Sequence, residues 1–351
     1  MKAKRILAVV LAAVIALTLF GCSAKSDKTT TKVSETTTET TTKPVPVNNP
    51  FTGQDDFSSK AVGVRPVAIV VENLSPARPQ WGITSPDIIV EGEVEGGISR
   101  MLWLYADYNS VPEKVGPLRS ARPSYVKFSK LFDAVFIHWG GSHSKGDYVG
   151  GYETIKKEKV DDIDGMNGGK LFGRDTTRRV SSEHKGILNG KNIASTIKSK
   201  KYRTTIKESN FTRFTFNDDI KDAGTESASG VNVTFSNRTD TRKFTYSTSD
   251  KKYHTNDWKT DVKFQNVIVL MAKSTYITTP YKGSTTTYLN YTLSEGDGYY
   301  ASNGKIAPIK WSAKDGQLKL TDTEGKTLAL NKGKSYIGLA SSNNSGKVSY
   351  K

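Results

Sequence analysis

The sequence predicts an α/β (or α+β) first domain with a mixed sheet, followed by a smaller and mainly antiparallel β domain. In residues 61–205, short apolar runs with the length and β-branching of buried strands alternate with loops and helical stretches. In residues 206–351, alternating Thr, Ser and Tyr are interrupted by Asn-Gly, Asp-Gly and Glu-Gly turns, a pattern typical of antiparallel strands. Together the two segments exceed the length of one typical domain, so we expect two.

Ahead of these domains, residues 1–22 have the features of a lipoprotein signal peptide. Lys2, Lys4 and Arg5 precede the uncharged apolar run ILAVVLAAVIALTLF, which is shorter than the roughly 20 residues of a membrane-spanning helix. The ending LFGC resembles a lipobox, in which Cys22 is acylated with fatty acids such as palmitate and becomes the new N-terminus. The alternatives are a cleaved signal or a retained anchor, in both of which the cysteine is incidental.

Composition narrows the classes of function. Cys22 is the only cysteine of the 351 residues, so its acylation excludes disulfides, a cysteine nucleophile and Cys-ligated zinc. The net charge is +16, and the leader holds three cations and no anions, so its removal leaves +13. Outside the membrane the abundant polyanions are phosphate-bearing wall polymers and anionic lipids, so we expect no nucleic-acid partner. The alternative is a solvated lysine-rich surface without a ligand.

Residues 23–60 are predicted to form a disordered, Thr-rich tether. The stretch TTTKVSETTTETTTKPVPVNNP contains almost no side chains that could be buried in a core. A flexible chain of this length spans on the order of 35 Å, enough to hold a folded body away from a bilayer. We therefore expect a lipid-anchored protein on the outer face of the cytoplasmic membrane.

Polar residues follow four apolar runs of the first domain, at the points where the predicted strands end. The runs are PVAIVV, PDIIVE, RMLWLYAD and DAVFIHW. If these strands run in the same direction, their carboxyl ends meet at one edge, which is where open α/β sheets bind ligands. The residues that this arrangement brings together are Glu72, Glu91, Glu93, Asp107 and His138.

The segment GPLRSARPSYVKF, residues 116–128, places two arginines directly before a helix predicted to begin near Pro123. A helix N-terminus is already electropositive, so an anion is needed among these cations. Its source stays open: an internal carboxylate, or a phosphate or carboxylate of an external ligand. Because Arg122 precedes a proline and must be extended, we expect it to be more buried than Arg119. Internal pairs would join Glu91, Glu93 or Glu95 to Arg100, Arg119 and Arg122.

These residues define a polar cleft in the first domain as the candidate site. A bound anion would contact guanidinium groups and the backbone of the GGS turn, and in an enzyme a histidine or carboxylate would transfer protons. A hydrogen-bonded core histidine is the alternative for His138. No HExxH or other metal-binding spacing occurs, so we expect no metal and no cofactor. The ligand-binding candidates are Arg119, Arg122, Arg100, Glu93, Gly140, Gly141, Ser142 and Arg174, and the catalytic candidates are His138, Glu91 and His184.

Several motifs resemble the YerB-like bacterial lipoproteins, a family described by N- and C-terminal domains of unknown function. These motifs are NLSPARPQWGI, VEGEVEGGISRMLWLY, VGPLRSARPSY, FIHWGGS and MNGGKLFGRDTTRRVSSEHKGIL, and more weakly GKIAPIKWSAKDGQLKLTDTEGKTLALNKGKSYIGLA. The resemblance covers nearly all of the predicted folded chain. It implies an exported, two-part lipoprotein whose polar residues form the family signature, and it implies no activity.

The sequence therefore predicts a membrane-anchored extracytoplasmic lipoprotein. Its Arg/Glu/His cleft would bind an anionic cell-envelope component, such as a wall polymer, or a surface protein. The alternative is a hydrolase or transferase that acts on a phosphorylated or acidic cell-wall glycan. An enzyme needs an acid or base within hydrogen-bond reach of open space, whereas a scaffold uses such groups in internal ion pairs.

Overall fold

The computed structural model describes residues 47–351, and its central feature is an 11-stranded mixed sheet. All four apolar runs of the first half form strands of this sheet, as predicted. The helices of the first half are α1 (Pro123–Lys130), α2 (Gly151–Glu158) and α3 (Ile193–Ser199), and its strands are β1 (Val67–Glu72), β2 (Ile88–Glu93), β3 (Ser99–Tyr105), β4 (Val135–His138), β5 (Asp162–Asp164), β6 (Phe172–Arg174) and β7 (Gly186–Leu188).

Short 3-10 helices occur in both halves of the described chain, and they lie at Ser59–Ala61, Ser75–Ala77, Tyr108–Ser110, Gly165–Asn167, Ser182–His184, Gly190–Asn192 and Glu208–Asn210.

The second half of the described chain consists mainly of strands and turns, as its Thr-rich alternation predicted. The strands are β8 (Thr215–Phe216), β9 (Glu226–Ser227), β10 (Gly230–Thr234), β11 (Thr241–Ser247), β12 (Lys252–Thr255), β13 (Val262–Phe264), β14 (Asn266–Ala272), β15 (Ser274–Tyr281), β16 (Ser284–Tyr291), β17 (Glu295–Ser302), β18 (Lys305–Ser312), β19 (Lys319–Thr321), β20 (Ala329–Leu330), β21 (Ser335–Ser341) and β22 (Lys347–Tyr350).

The strand directions decide which polar residues meet. β1 runs parallel to β4 and antiparallel to β3, and β2 also runs antiparallel to β3. β1, β2 and β4 therefore end at one edge of the sheet, where β3 begins. Asp107 lies beyond the other end of β3, so the prediction that it joins the polar cluster is wrong. We call the shared edge the polar edge, and it carries Glu72, Glu91, Glu93, Arg100 and His138.

The large sheet continues from the first half into the second. Its order is β19-β18-β17-β14-β21-β2-β3-β1-β4-β5, and β9 pairs with β18. β21 lies between β14 and β2 and runs parallel to both. Strands from both sides of the boundary expected between residues 205 and 206 are thus hydrogen-bonded in one sheet. The antiparallel pairs of the second half lie in a five-stranded sheet, β13-β12-β11-β10-β22, in the β15–β16 hairpin and in the β14-β17-β18-β19 part of the large sheet.

Both faces of the central sheet are buried. Side chains of β1 alternate, so Ala68 and Val70 pack on the face that α1 covers. Val67, Ile69 and Val71 pack on the other face, with α3 and the five-stranded sheet. A strand that is covered on both faces reads as a continuous apolar run, which is why the sequence signal for these strands is strong.

Helix α1 begins at Pro123, as predicted. Arg122 precedes it with an extended backbone, φ −131° and ψ 148°, and the missing N–H of proline breaks no hydrogen bond in a first helical turn. Tyr125 and Phe128 bury the inner face of the helix against the sheet. This packing holds Arg122 next to the polar edge.

Residues 47–60 belong to the folded structure, although the sequence assigned them to the tether. Phe51 is fully buried. Its ring lies edge-on to Phe132, with 5.2 Å between the centroids, and stacks on Phe211 at 5.9 Å. The tether prediction is wrong for this segment because one buried aromatic ring in a polar stretch produces no periodic pattern.

The predicted signal peptide, the predicted acylation site Cys22 and residues 23–46 of the predicted tether lie outside the described residues. Across residues 47–351, every helix is too short or too polar to cross a membrane.

Candidate functional site

Two arginines and one carboxylate form an ion-pair network at the polar edge. Arg122 donates from Nε to Oε2 of Glu95 at 2.7 Å and from Nη2 to Oε1 at 2.6 Å. Arg100 Nη2 donates to the same Oε1 at 2.7 Å, and its Nη1 donates to the carbonyl oxygen of Ser120 at 2.8 Å. The sequence analysis gave an internal carboxylate as one possible source of the anion, and Glu95 is that carboxylate. We call these three side chains the Glu95 clamp.

The charges of the clamp are strongly coupled. Burial raises the pKa of Glu95, but the positive charges of Arg100 and Arg122 outweigh it and lower this pKa to about 2. Burial, together with the neighbouring guanidinium of Arg122, lowers the pKa of Arg100 to about 10. At neutral pH the clamp therefore holds two positive charges and one negative charge.

Arg119 differs from the clamp arginines because it opens to solvent. Its side chain is 24% exposed, against 12% for Arg122, so Arg122 is the more buried of the two, as predicted. Nη2 of Arg119 donates to Oε2 of Glu183 at 2.8 Å, and the Glu183 side chain is 54% exposed. Nε of Arg119 lies 3.5 Å from Oε1 of Glu72, a buried oxygen that has no hydrogen-bond partner among the described residues.

A cleft opens in front of Arg119. Its larger lobe has a volume of about 550 Å³ and lies between the GGS turn and the β15–β16 hairpin. Tyr288 of the hairpin stacks on Tyr148 with 3.9 Å between the ring centroids, which fixes the hairpin against the first half of the chain. Other residues that line this lobe are Glu95, Arg122, Ser142, Ser144, Lys145, Thr279, Pro280 and Thr286.

The smaller lobe has a volume of about 400 Å³ and adjoins the larger one. The residues that line both lobes are Arg119, Ser120, Gly141, His143 and Glu183. The smaller lobe is further lined by Leu118, Trp139, Gly140, Tyr152, Met166, Arg174 and Gly186.

Most of the predicted ligand-binding residues line this cleft. Arg100 is buried behind it in the Glu95 clamp, and Glu93 is buried at the polar edge. Oε2 of Glu93 accepts a hydrogen bond from the hydroxyl of Tyr276 at 3.1 Å. The predicted residues on the wall of the cleft are Arg119, Arg122, Gly140, Gly141, Ser142 and Arg174.

The GGS turn forms the part of the wall that both lobes share. Gly140 has a φ of +74°, and a Cβ on Gly141 would lie 2.9 Å from the ring of Tyr152, so both positions need glycine. The hydroxyl of Ser142 lies 2.9 Å from the hydroxyl of Tyr148 and accepts the first N–H of α2 at 2.9 Å. Ser142 therefore holds the turn in place with its side chain.

Glu91 is not available as a catalytic base, which corrects the sequence-based prediction. It is fully buried, and Arg242 donates to its two carboxylate oxygens at 3.0 and 2.6 Å. Asn73 and Ser99 donate to Oε1 at 2.6 and 2.7 Å, and Tyr336 donates to Oε2 at 3.0 Å. A carboxylate with this many donors is an internal anchor between the two halves of the chain.

The two histidine candidates also contact internal partners and not the cleft. His138 is fully buried, with Nδ1 2.7 Å from the carbonyl oxygen of Gly140 and Nε2 3.0 Å from Oδ2 of Asp162. His184 is buried as well, and its Nδ1 lies 2.9 Å from Oε2 of Glu72. Because neither imidazole lines the cleft, both predictions of a catalytic role are corrected.

The structure adds cleft residues that the sequence did not single out. His143 is 77% exposed, and its Nδ1 lies 3.4 Å from Oε1 of Glu153. Lys145 and Glu183 line the cleft from loops whose sequence has no periodic signal. Between residues 47 and 351, no group of three or more His, Asp and Glu side chains is close enough to share a metal ion.

Comparisons with known proteins agree with this architecture. Two family models match: the N-terminal domain of a protein of unknown function (DUF3048) over residues 51–203, and its C-terminal domain over residues 225–337. A relative from Bacillus subtilis (strain 168), named "Putative lipoprotein YerB", is 38% identical over 126 residues, which are 36% of this chain and 35% of the relative. The match thus spans about a third of that relative's length.

The crystal structure of the YerB protein from Bacillus subtilis is similar to this chain in fold. The TM-score is 0.69 at 25% sequence identity, over 86% of this chain and 99% of the YerB chain. The likeness confirms the predicted arrangement of an α/β (or α+β) part with a mixed sheet followed by a mainly antiparallel β part.

Proposed function

The chain belongs to the DUF3048 family, and we propose that it is a membrane-anchored extracytoplasmic lipoprotein whose cleft binds an anionic component of the cell envelope. The anchor is a lipid on Cys22, on the outer face of the cytoplasmic membrane. The name of the Bacillus subtilis relative, which contains the word lipoprotein, supports the lipid anchor. The ligand is an anionic wall polymer or an acidic segment of a surface protein, since both present phosphate or carboxylate groups.

The observation that carries the proposal is the position of Arg119. Arg100 and Arg122 are committed to Glu95, whereas Arg119 faces the cleft and pairs with Glu183 on an exposed 3-10 turn. An exposed ion pair contributes only about 0–1 kcal/mol, so an anion from a ligand can replace Glu183 at little cost. The net positive charge of the clamp behind Arg119 favours an anion in the same place, whereas Glu72, 3.5 Å from Nε of Arg119, opposes it.

Anion binding by variants tests the proposal. We expect Arg119→Ala to abolish measurable binding of glycerol phosphate in isothermal titration at low salt. Arg119→Lys should bind weakly, because lysine keeps the charge but lacks the planar guanidinium group that donates two hydrogen bonds to one anion. Glu183→Gln, which removes the internal competitor, should bind about two- to fivefold more tightly.

The matched control is Arg213→Ala. Arg213 is exposed and pairs with Glu208 at 2.8 Å, as Arg119 does with Glu183, but it lies outside the cleft. Unchanged binding by Arg119→Ala, or an equal loss in the Arg213 control, would contradict the proposal.

A second candidate function is a hydrolase or transferase that acts on a phosphorylated or acidic cell-wall glycan. His143 favours it, because this exposed imidazole lines both lobes next to Arg119 and has Glu153 beside it. Arg119 would then stabilise the developing negative charge while His143 transfers the proton. Release of phosphate or sugar from wall fragments by the parent protein and not by His143→Ala would establish this activity.

A further inference from the structure

The shape of the cleft indicates which anions it takes. The two lobes meet at Arg119, which lines both of them together with Ser120 and His143. A ligand whose anion pairs with Arg119 therefore has space on two sides, about 550 Å³ on one and about 400 Å³ on the other. A small isolated anion would fill neither lobe, whereas a chain that passes Arg119 would enter both.

Each lobe has an exposed cation of its own. Lys145 lines only the larger lobe and Arg174 only the smaller one, so the order along the cleft is Lys145, Arg119, Arg174. Arg174 lies with its guanidinium 4.8 Å from the ring centroid of Trp139, and its Nη1 donates to the carbonyl oxygen of Ser182 at 2.6 Å. These contacts direct the guanidinium along the wall of the smaller lobe. Three cations that follow one another along the cleft match a ligand with repeated negative charges.

The wall of the larger lobe is rich in hydroxyl groups. Ser120, Ser144, Thr286 and Tyr288 all line it, and Thr279 lies beside them. Hydroxyl groups both donate and accept hydrogen bonds, so they match the hydroxyl groups of a polyol or sugar. An apolar segment of a ligand would gain little here.

We propose that the cleft binds an internal stretch of a linear anionic polymer with a hydroxyl-bearing repeat, such as a chain of polyol phosphates. Successive anions of the chain pair with Lys145, Arg119 and Arg174, and the hydroxyl groups of the repeat contact the Ser and Thr side chains of the larger lobe. The inference rests on the proposed function, because it identifies the class of anion that the Arg119 cleft binds.

Chain length is the variable that tests the inference. The full chain, kept in detergent, is titrated with synthetic glycerol phosphate oligomers of one, three and six units. We expect the hexamer to bind at least about tenfold more tightly than the monomer. Once the first phosphate of the hexamer is bound, the other phosphates are held close to the remaining cations of the cleft. Lys145→Ala and Arg174→Ala should each weaken hexamer binding about two- to fivefold more than they weaken monomer binding.

A control separates the cleft from the overall positive charge of the protein. Lys191 is exposed and pairs with Glu113 at 2.8 Å outside the cleft, so Lys191→Ala should bind every oligomer as the parent does. If the monomer binds as tightly as the hexamer, or if Lys145→Ala, Arg174→Ala and Lys191→Ala behave alike, the polymer inference is overturned. Loss of binding in Arg119→Ala would then still support the proposed function. Binding of the monomer with no gain for the longer oligomers would indicate that the ligand is a single headgroup or a free phosphate. If no oligomer binds, the result contradicts both the proposed function and the polymer inference.

Discussion

Arg122 and Glu95 form a two-point ion pair, with Nε and Nη2 of the arginine 2.7 and 2.6 Å from the two carboxylate oxygens. The pair answers the question raised by the arginines of the GPLRSARPSY segment, because each of the two arginines pairs with a carboxylate of the protein itself. Glu95 neutralises Arg122 from within the protein. Arg119, three residues earlier, faces outward and is paired with the exposed Glu183.

The Glu95 clamp should be a major contributor to stability. Glu95→Gln leaves two buried guanidinium groups without a countercharge, and breaking a buried pair in this way costs about 3–5 kcal/mol. We expect a fall of this size in the free energy of unfolding, measured by urea denaturation. The control Glu208→Gln, which removes the exposed partner of Arg213, should change it by less than about 0.5 kcal/mol. Equal effects of the two substitutions would show that the clamp is not a stabilising element.

The same carboxylate predicts a dependence of stability on pH. The pKa of Glu95 falls from an ordinary value of 4.5 to about 2 in the folded protein. A lowered folded pKa means that the stabilisation is fully present above pH 4.5 and is lost as the pH falls toward 2. The loss is on the order of 3 kcal/mol.

Urea denaturation between pH 7 and pH 2 measures this dependence. Other carboxylates titrate in the same range, so the comparison of interest is between the parent and Glu95→Gln. The difference in their free energies of unfolding should be largest above pH 4.5 and should shrink as the pH falls. A difference that is constant across this range would contradict the assignment of the low pKa to Glu95.

The strands could be predicted from the sequence, but the pairing of charges could not. β1 to β4 are continuous apolar runs because both of their faces are buried, and that pattern depends on composition alone. Which carboxylate meets which arginine depends on strand direction and register, which composition does not encode. Glu91 shows the difficulty, since its partner Arg242 lies 151 residues away in the second half of the chain.

The structure places most of the residues of the predicted cleft near one another, but one wall of the cleft has no counterpart in the sequence prediction. GPLRSARPSY and FIHWGGS do come together, because Leu118 forms a bridge with Val71 of β1 and Ala121 forms a bridge with Gly141 of the GGS turn. The opposite wall comes from the β15–β16 hairpin, whose Thr-rich alternation is the same as that of any exposed strand pair. The sequence offered no signal that this hairpin would reach across to Tyr148.

Phe51 should anchor the N-terminal segment to the folded protein. Replacing a fully buried phenylalanine by alanine removes about 3–5 kcal/mol of stability. Phe51→Ala should therefore lower the melting temperature clearly, and trypsin should then cut at Lys60. Phe57→Ala is the control, because Phe57 is only partly buried against the same core and should cost less. If both variants melt like the parent, the segment contributes nothing to the fold, as the tether prediction had assumed.

Acylation at Cys22 is a separate prediction of the LFGC sequence. Cells that express the parent protein and are grown with a fatty-acid probe should yield a labelled band, and Cys22→Ala should yield none. The neighbouring substitution Ser23→Ala leaves the thiol in place and should be labelled like the parent. Equal labelling of Cys22→Ala and the parent protein would contradict acylation at Cys22.

The place of β21 in the sheet has a consequence for the order in which the chain can fold. β2 ends at Glu93, yet the neighbour that completes its hydrogen bonds on one side begins only at Ser335. While the chain is being synthesised, that side of β2 stays unpaired until almost the last residues emerge, and an unpaired strand edge invites pairing with other chains. A protein that stops before Ser335 should therefore aggregate as a whole, because the missing strand lies in the middle of the sheet and not at its margin.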